Sequence, residues 1–532
     1  MNMSLTPHDG IKTETFGDWI LLDDFNDFDV LVDTGWITLD RKTDIASLHP
    51  VISDVLTNAL KPDSLNCERY LTSLNGYLST LDKGTDWSIL NLAIGLCTSV
   101  LKRIPDKVML TGRILYNLGK IYNQLSMFYD SQKCILESLS IYDIENTENI
   151  DQNELAGLYR WVGISYSALA NNKKAVEYYL KSKNIFETIE TPDYQDFART
   201  LNVLGSSSKE LASYPEALHY HLAALKVQLE HLSENHPDIA STYNYLGVYY
   251  NSQGEYENSL PSFLKSLEIR QFSLPANHRY IAMSLNNIAW VYSRTGYLDD
   301  AMDYYIRALK IKQEMLPENH SGIALAYYNI GNVYELKNEL DIASEYYRKA
   351  LQIRVNLNVE NKPRAAAVYM GLCSVCRKKK QFDEALVWID KAIGIYRQND
   401  RAGLPLSTYS YDNKGYVYRD KGDFDEAMVY FNRAFDIRRK KFDDSHPMIS
   451  NSYSNFADIY LGKGHYDTAI EFYQKALNIR LLKFPENHPE ILSIYKNIAS
   501  AYQSIDNNEK ANEYFEKANI SGTIIDNSNS EE

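Results

Sequence analysis

The chain repeats itself every 42 residues. A small residue stands at Gly205, Gly247, Ala289, Gly331, Cys373, Gly415, Ala457 and Ala499, each 42 beyond the last. The series extends upstream to Gly163 and, after a step of 44, to Gly119. Self-similarity at this length, held from about Gly112 to Lys517, predicts stacked helical units that bury their apolar faces only against one another. Such a core grows lengthwise, so a chain of 532 residues need not divide into several ordinary domains.

Other positions recur around the small residue. Four before it stands a large residue (Leu201, Tyr243, Leu285, Tyr327, Tyr369, Tyr411, Tyr453, Tyr495), and three after it a tyrosine in most units. These offsets trace one face of a helix, here called A. A second helix, B, carries small residues two turns apart, as at Ala301 and Ala308, so that A can approach closely. Between A and B lies Gly254, Gly296, Gly422 or Gly464, suited to a left-handed C′ position, with Asn338 in one unit. Helix B closes on Ile and a base (Ile269-Arg270, Ile311-Lys312, Ile353-Arg354, Ile437-Arg438, Ile479-Arg480), which the helix macrodipole explains without a ligand. A turn with histidine follows at His236, His278, His320, His446 and His488. In three units it ends in a proline suited to the first position of the next helix A. Histidines spaced one repeat apart do not converge on a metal or a catalytic centre, and a structural role is expected.

The small residues with aromatics between them resemble the tetratricopeptide repeat. The 42-residue length, the run Asn286-Asn287-Ile288-Ala289-Trp290-Val291-Tyr292 before Gly296-Tyr297, the Asn-His-Pro turns and the closing Ala308 to Lys312 resemble the kinesin light chain variety. The resemblance implies an all-α, right-handed superhelical solenoid of about ten tetratricopeptide helix pairs with a helical N-terminal cap. Helix A would line its concave face. The long heptad coiled coil through which kinesin light chains join the motor has no counterpart in residues 1–110. Peptide capture in the groove is therefore the safer implication than motor attachment.

Read onto this chain, the family's groove-facing positions are Asn202, Asn244, Asn251, Asn286, Asn287, Asn329, Asn413 and Asn455, with Arg199, Lys209, Arg294, Arg377 and Arg419. An amide both donates and accepts, so it can hold an extended peptide by its backbone. The bases would select acidic ligands. Asparagine is a poor interior helix residue, and the same amides would also serve to brace neighbouring helices.

Four segments are expected: an acidic, flexible arm over residues 1–45, a helical cap or degenerate repeat over 46–110, the solenoid over 111–520, and a polar tail over 521–532. In the arm, aspartates surround Trp19, Phe25 and Phe28. Light-chain-type grooves take tryptophans flanked by acidic residues, so Asp18-Trp19 resembles an autoinhibitory peptide. The unit near 365–406 departs most from the pattern, with Gly371, the basic run Arg377 to Lys380, and Asn399 to Pro405 in place of the histidine turn. A hinge, a basic docking site or relaxed packing would each explain it.

Formal net charge is −15, which argues against duplex nucleic acid or an anionic membrane as partner. Trp87 to Val100, the most apolar helical stretch, is too short to cross a bilayer of about 30 Å. Five cysteines without framework spacing and an acidic N-terminus without a secretory design suit the cytoplasm. Cys373-Ser-Val-Cys376 has no second CxxC to complete a four-ligand site, and its cysteines hold positions that elsewhere carry Ala, Gly and Tyr; packing is expected. No phosphate loop, nucleophile motif or cofactor fingerprint is present. The reading is a non-catalytic interaction scaffold or adaptor that binds extended, acidic peptides without cofactor or metal. The alternatives are a kinesin-linked cargo adaptor or the regulatory subunit of an enzyme complex.

Overall fold

The computed structural model describes residues 11–12, 37–40, 45–48, 68–81, 87–104, 107–144, 151–359, 363–398 and 405–519. Near the N-terminus three short strands pair in a small antiparallel sheet. Strands β1 (Ile11–Lys12), β2 (Ile37–Asp40) and β3 (Ile45–Leu48) stand in the order β1-β3-β2, with Ile11 opposite Ala46 and Ile37 opposite Leu48. The polar tail lies outside the described residues, as do 399–404 of the aberrant turn.

The chain forms two compact units, residues 1–228 and 229–532. In the first, α1 (Glu68–Thr80) and α2 (Trp87–Arg103) precede three helix pairs: α3 (Met109–Gln124) with α4 (Phe128–Ile144), α5 (Gln152–Ala168) with α6 (Asn172–Thr188), and α7 (Tyr194–Glu210) with α8 (Tyr214–His231). Helix α1 packs directly on α3, its Leu71, Leu74 and Leu78 sharing a core with Ile114, Leu118 and Ile121. It thereby covers the apolar end of the first repeat.

Among its described residues the second unit holds seven pairs. They are α9 (Pro237–Gln253) with α10 (Tyr256–Ser273), α11 (Arg279–Thr295) with α12 (Leu298–Met315), α13 (Ser321–Leu336) with α14 (Leu340–Asn356), and α15 (Pro363–Lys378) with α16 (Phe382–Gln398). Then come α17 (Pro405–Lys421) with α18 (Phe424–Lys441), α19 (Pro447–Gly462) with α20 (Tyr466–Leu481), and α21 (Pro489–Gln503) with α22 (Asn508–Asn519). Odd-numbered helices from α3 onward are the A helices.

The period has a packing cause. Sixteen residues after nine of the ten reference positions helix B carries a buried ring or branched chain: Ile135, Tyr179, His221, Phe263, Tyr305, Tyr347, Ile389, Phe431 and Tyr473. A Cβ on Gly163 would stand 2.4 Å from the Tyr179 ring, and one on Gly247 2.6 Å from Phe263. The missing side chain lets the ring lie against the backbone of helix A. Burying each such ring contributes roughly 2–3 kcal/mol. A second aromatic layer joins the tyrosine three after the reference to a ring on helix B. Examples are Tyr334 on Tyr346 at 5.3 Å, Tyr418 on Tyr430 at 5.6 Å and Tyr460 on Phe472 at 5.5 Å. The repeated tyrosines are thus packing residues.

The helix ends follow the sequence closely. Each of the five turn histidines is an N-cap, its Nδ1 accepting the backbone N–H two residues on. Gly254, Gly296, Gly422 and Gly464 have φ between 72° and 88°, and Asn338 has φ 62°. Ala170, Ala212 and Lys380 occupy the same left-handed position with φ near 60°, so the turn geometry is imposed by the helix pair even where no glycine eases it.

Candidate peptide-binding groove

In unit 2 successive A helices touch one another, α13 with α15 and α15 with α17, which makes the A row the inner side of the stack. The amides meet there. Asn287 Nδ2 donates to Asn244 Oδ1 at 2.7 Å, and Asn329 donates to Asn286 at 3.3 Å. Three repeats further on Asn455 donates to Asp412 at 3.0 Å, and in unit 1 Asn117 donates to Asn75 at 2.9 Å. In unit 2 each bond joins one A helix to the next, so these side chains form a ladder along the inner row, and Asn117 makes the same bond from α3 to α1. The bracing role that the sequence allowed for asparagine is therefore filled at Asn244, Asn286, Asn287, Asn329 and Asn455.

The other predicted groove residues also have protein partners. Asn202 is buried with its Oδ1 3.1 Å from His221 Nδ1, Asn251 accepts from Ser259, and Asn413 donates to the Tyr409 carbonyl. Arg199 pairs with Asp196, Arg377 with Asp420, and Arg419 with Asp458 and Asp420. Arg294 lies over the Trp290 ring, 5.6 Å from its centroid. Asp18 and Trp19 lie outside the described residues.

Residues three or four from the ladder share its face of the helix. On that face Met283, Leu325 and Tyr409 occupy one register position and are exposed, and Trp290 is 40% exposed beside them. The sequence reading missed this apolar row because it looked for amides and bases. The signal was present as a fixed position carrying Met, Leu, Ala and Tyr at 283, 325, 367 and 409.

The bases that close helix B are not spent on the macrodipole as the sequence suggested. Arg270, Arg354, Arg438 and Arg480 are all buried. Arg270 donates to Ser284 Oγ at 2.7 Å and to the Tyr280 carbonyl at 3.1 Å, and burial lowers its pKa to about 10. Arg438 pairs with Asp412 and donates to Ser452 Oγ at 2.7 Å. Burial raises the Asp412 pKa even beside that guanidinium. Burial also pushes Lys312 down to about 8.

Three members of the basic run after Cys376 are neutralised by neighbours: Arg377 by Asp420, Lys378 by Glu335, and Lys379 by Asp341. Cys373 and Cys376 are buried free thiols, and burial pushes their pKa up to about 12 and about 11. Among the described residues no group of three metal-ligating side chains converges, and no helix is long and apolar enough to cross a membrane.

The model of the tetratricopeptide repeat matches residues 196–270, 238–314, 318–399 and 405–481, and a second model of that repeat matches 492–519. No curated protein matches the sequence. Among solved structures, a signal transduction ATPase with a tetratricopeptide repeat sensor from Pyrococcus horikoshii is 16% identical with a TM-score of 0.52. The match covers 82% of this chain and 62% of that one. BtubC (BKLC) from P. vanneervenii is 23% identical over 45% of this chain and 91% of its own, with a TM-score of 0.33. A Rap protein complexed with Competence and Sporulation Factor is 15% identical over 70% of this chain and 98% of its own, with a TM-score of 0.49. Stacked repeats of this kind make a protein-interaction scaffold. With more than half of its length matched, and with ten helix pairs built on one 42-residue plan, the chain belongs to the tetratricopeptide repeat family.

Proposed function

We propose that the chain is a non-catalytic adaptor whose inner face binds extended, acidic peptide segments of partner proteins. The carrying observation is the exposed apolar row Met283, Trp290, Leu325 and Tyr409 on the face that also bears the amide ladder. Met283 and Leu325 stand at one register position of successive repeats, with Tyr409 two repeats further on, and each leaves more than a third of its surface in water. They suit the alternate side chains of an extended ligand. Arg294 over Trp290 and the ladder amides add donors at the rim of that row. The amides stiffen the wall first, and contact a ligand only through the donor and acceptor capacity their mutual bonds leave over.

Titration of the full chain against a fluorescein-labelled peptide with one tryptophan flanked by aspartates tests the reading. Trp290→Ala and Leu325→Asp are expected to weaken binding by about tenfold each, as loss of an interface anchor does. Unchanged anisotropy curves for both variants would refute it.

A further inference from the structure

The base closing helix B recurs at Arg270, Lys312, Arg354, Arg438 and Arg480, and the partners of three of them define where its tip lies. Arg438 meets Asp412, 26 residues earlier on the A helix of its own repeat, and Ser452, 14 later on the next. Arg270 meets Ser284, again 14 later. Arg480 meets Glu490, 10 later, and Ser450 at 3.2 Å. The same offsets from Arg354 lead to Tyr328, Val368 and Arg364: a phenol, an alkyl group and a second cation.

Arg354 is correspondingly alone. It is 3% exposed, its Nε is sealed from solvent without a partner, and it makes no hydrogen bond or ion pair among the described residues. Burial first, and then the charge of Arg364, press its pKa down. The amide ladder is also interrupted over it. Asn455 reaches Asp412 beside Arg438, whereas the equivalent of Asn455 above Arg354 is Gly371. That glycine is fixed by the Tyr347 ring, which a Cβ would approach to 2.9 Å. Among the described residues no side chain is hydrogen-bonded to the guanidinium from the inner side, and Arg364 stands exposed at the first turn of α15. A buried cation without a counter-charge is costly to hold, and an anion arriving from outside relieves that cost.

We infer that Arg354 and Arg364 form a carboxylate-binding subsite in the inner wall of unit 2, between α13 and α15, filled by an acidic side chain of a bound peptide. This rests on the peptide-groove reading and adds to it the position at which charge is read. A planar guanidinium matches a carboxylate with two parallel N–H donors, and charge-assisted bonds of this kind are the strong ones.

The test compares the fluorescein-labelled aspartate–tryptophan peptide with the same peptide carrying asparagine for aspartate. The full chain is expected to prefer the aspartate form by about tenfold. Arg354→Met abolishes that preference while leaving the melting temperature unchanged or higher, because an unbalanced buried charge has been removed. Arg364→Gln, at an exposed site that does not endanger folding, lowers the preference severalfold. Retention of the full preference by both variants overturns the subsite, and so does a drop in melting temperature in Arg354→Met, which would reveal a partner within the protein. Equal binding of the two peptides by the unaltered chain sinks the subsite alone. Binding of neither peptide sinks the groove reading with it.

Discussion

His488 packs against the backbone of Gly254, far earlier in the chain: a Cβ on Gly254 would stand 2.9 Å from the imidazole Cδ2 and 2.5 Å from Cδ of the adjoining Pro489. The turn that starts α21 thus meets the end of α9, and two repeats of unit 2 that are six units apart in sequence touch. Gly254 serves two ends here, since its φ of 72° also closes helix α9.

The two demands are separable. Gly296 has φ 88° and nothing within 4 Å of its would-be Cβ. Gly296→Ala should therefore cost only the left-handed strain, about 1–2 kcal/mol. Gly254→Ala should cost that and the displaced contact as well, a further ~1 kcal/mol or more by overpacking. Urea unfolding of both variants measures the difference; equal midpoints would mean that the α9–α21 contact is not held in solution.

Acid should destabilise the fold through two histidines. Burial lowers the pKa of His221 and of His488 to about 4, against an ordinary value of about 6.5. Between those values the unfolded chain binds protons that the folded chain refuses, so stability rises with pH across that window. It is fully present above about pH 6.5 and is lost as pH falls toward 4. His221→Phe, which puts a ring like Phe263 against Gly205, should flatten the pH dependence of the melting temperature. A slope identical to that of the parent would contradict this assignment.

The Asn287–Asn244 bond should appear as coupling. A double-mutant cycle with Asn244→Ala and Asn287→Ala is expected to return about 0.5–1.5 kcal/mol of interaction energy, the range of a net hydrogen bond. Additive losses would show that the rung contributes nothing beyond its separate side chains.

Asp412→Ala should be among the most damaging single changes in unit 2. It leaves Arg438, which has no exposed surface, without its counter-charge and strips Asn455 of its acceptor. Loss of one partner of a buried pair costs about 3–5 kcal/mol. The double variant Asp412→Leu with Arg438→Met should recover most of it in denaturant melts, whereas a mild single-variant loss would mean that water reaches the pair.

The thiols of Cys97, Cys134, Cys373 and Cys376 should resist labelling. All four are buried, and burial raises the pKa of each, so little thiolate forms near neutral pH. Reaction with a water-soluble thiol reagent at pH 8 should modify these four only as the protein unfolds. Rapid modification of Cys373 or Cys376 in the native protein would reopen a redox role for the CxxC.

Much of this architecture can be read from the chain because its causes are local. The 42-residue period, the histidine N-caps, and the left-handed Gly254 and Asn338 each depend on residues within one repeat, and helix geometry carries them into space unchanged. The bulky side chain sixteen residues after most of the small residues was equally legible, and explains why those residues are small. Tertiary structure decided the fate of the polar side chains. Asn244 faces inward as its register implies, but whether its amide meets a ligand or Asn287 depends on how closely two A helices approach. Arg438 and Arg354 occupy the same place in the repeat, yet one finds Asp412, whereas the equivalent positions around the other hold Tyr328, Val368 and Arg364. Position in a periodic sequence fixes where a side chain points; what it meets there is set by the neighbouring repeats, because a polar group is satisfied only by the partner that packing brings to it.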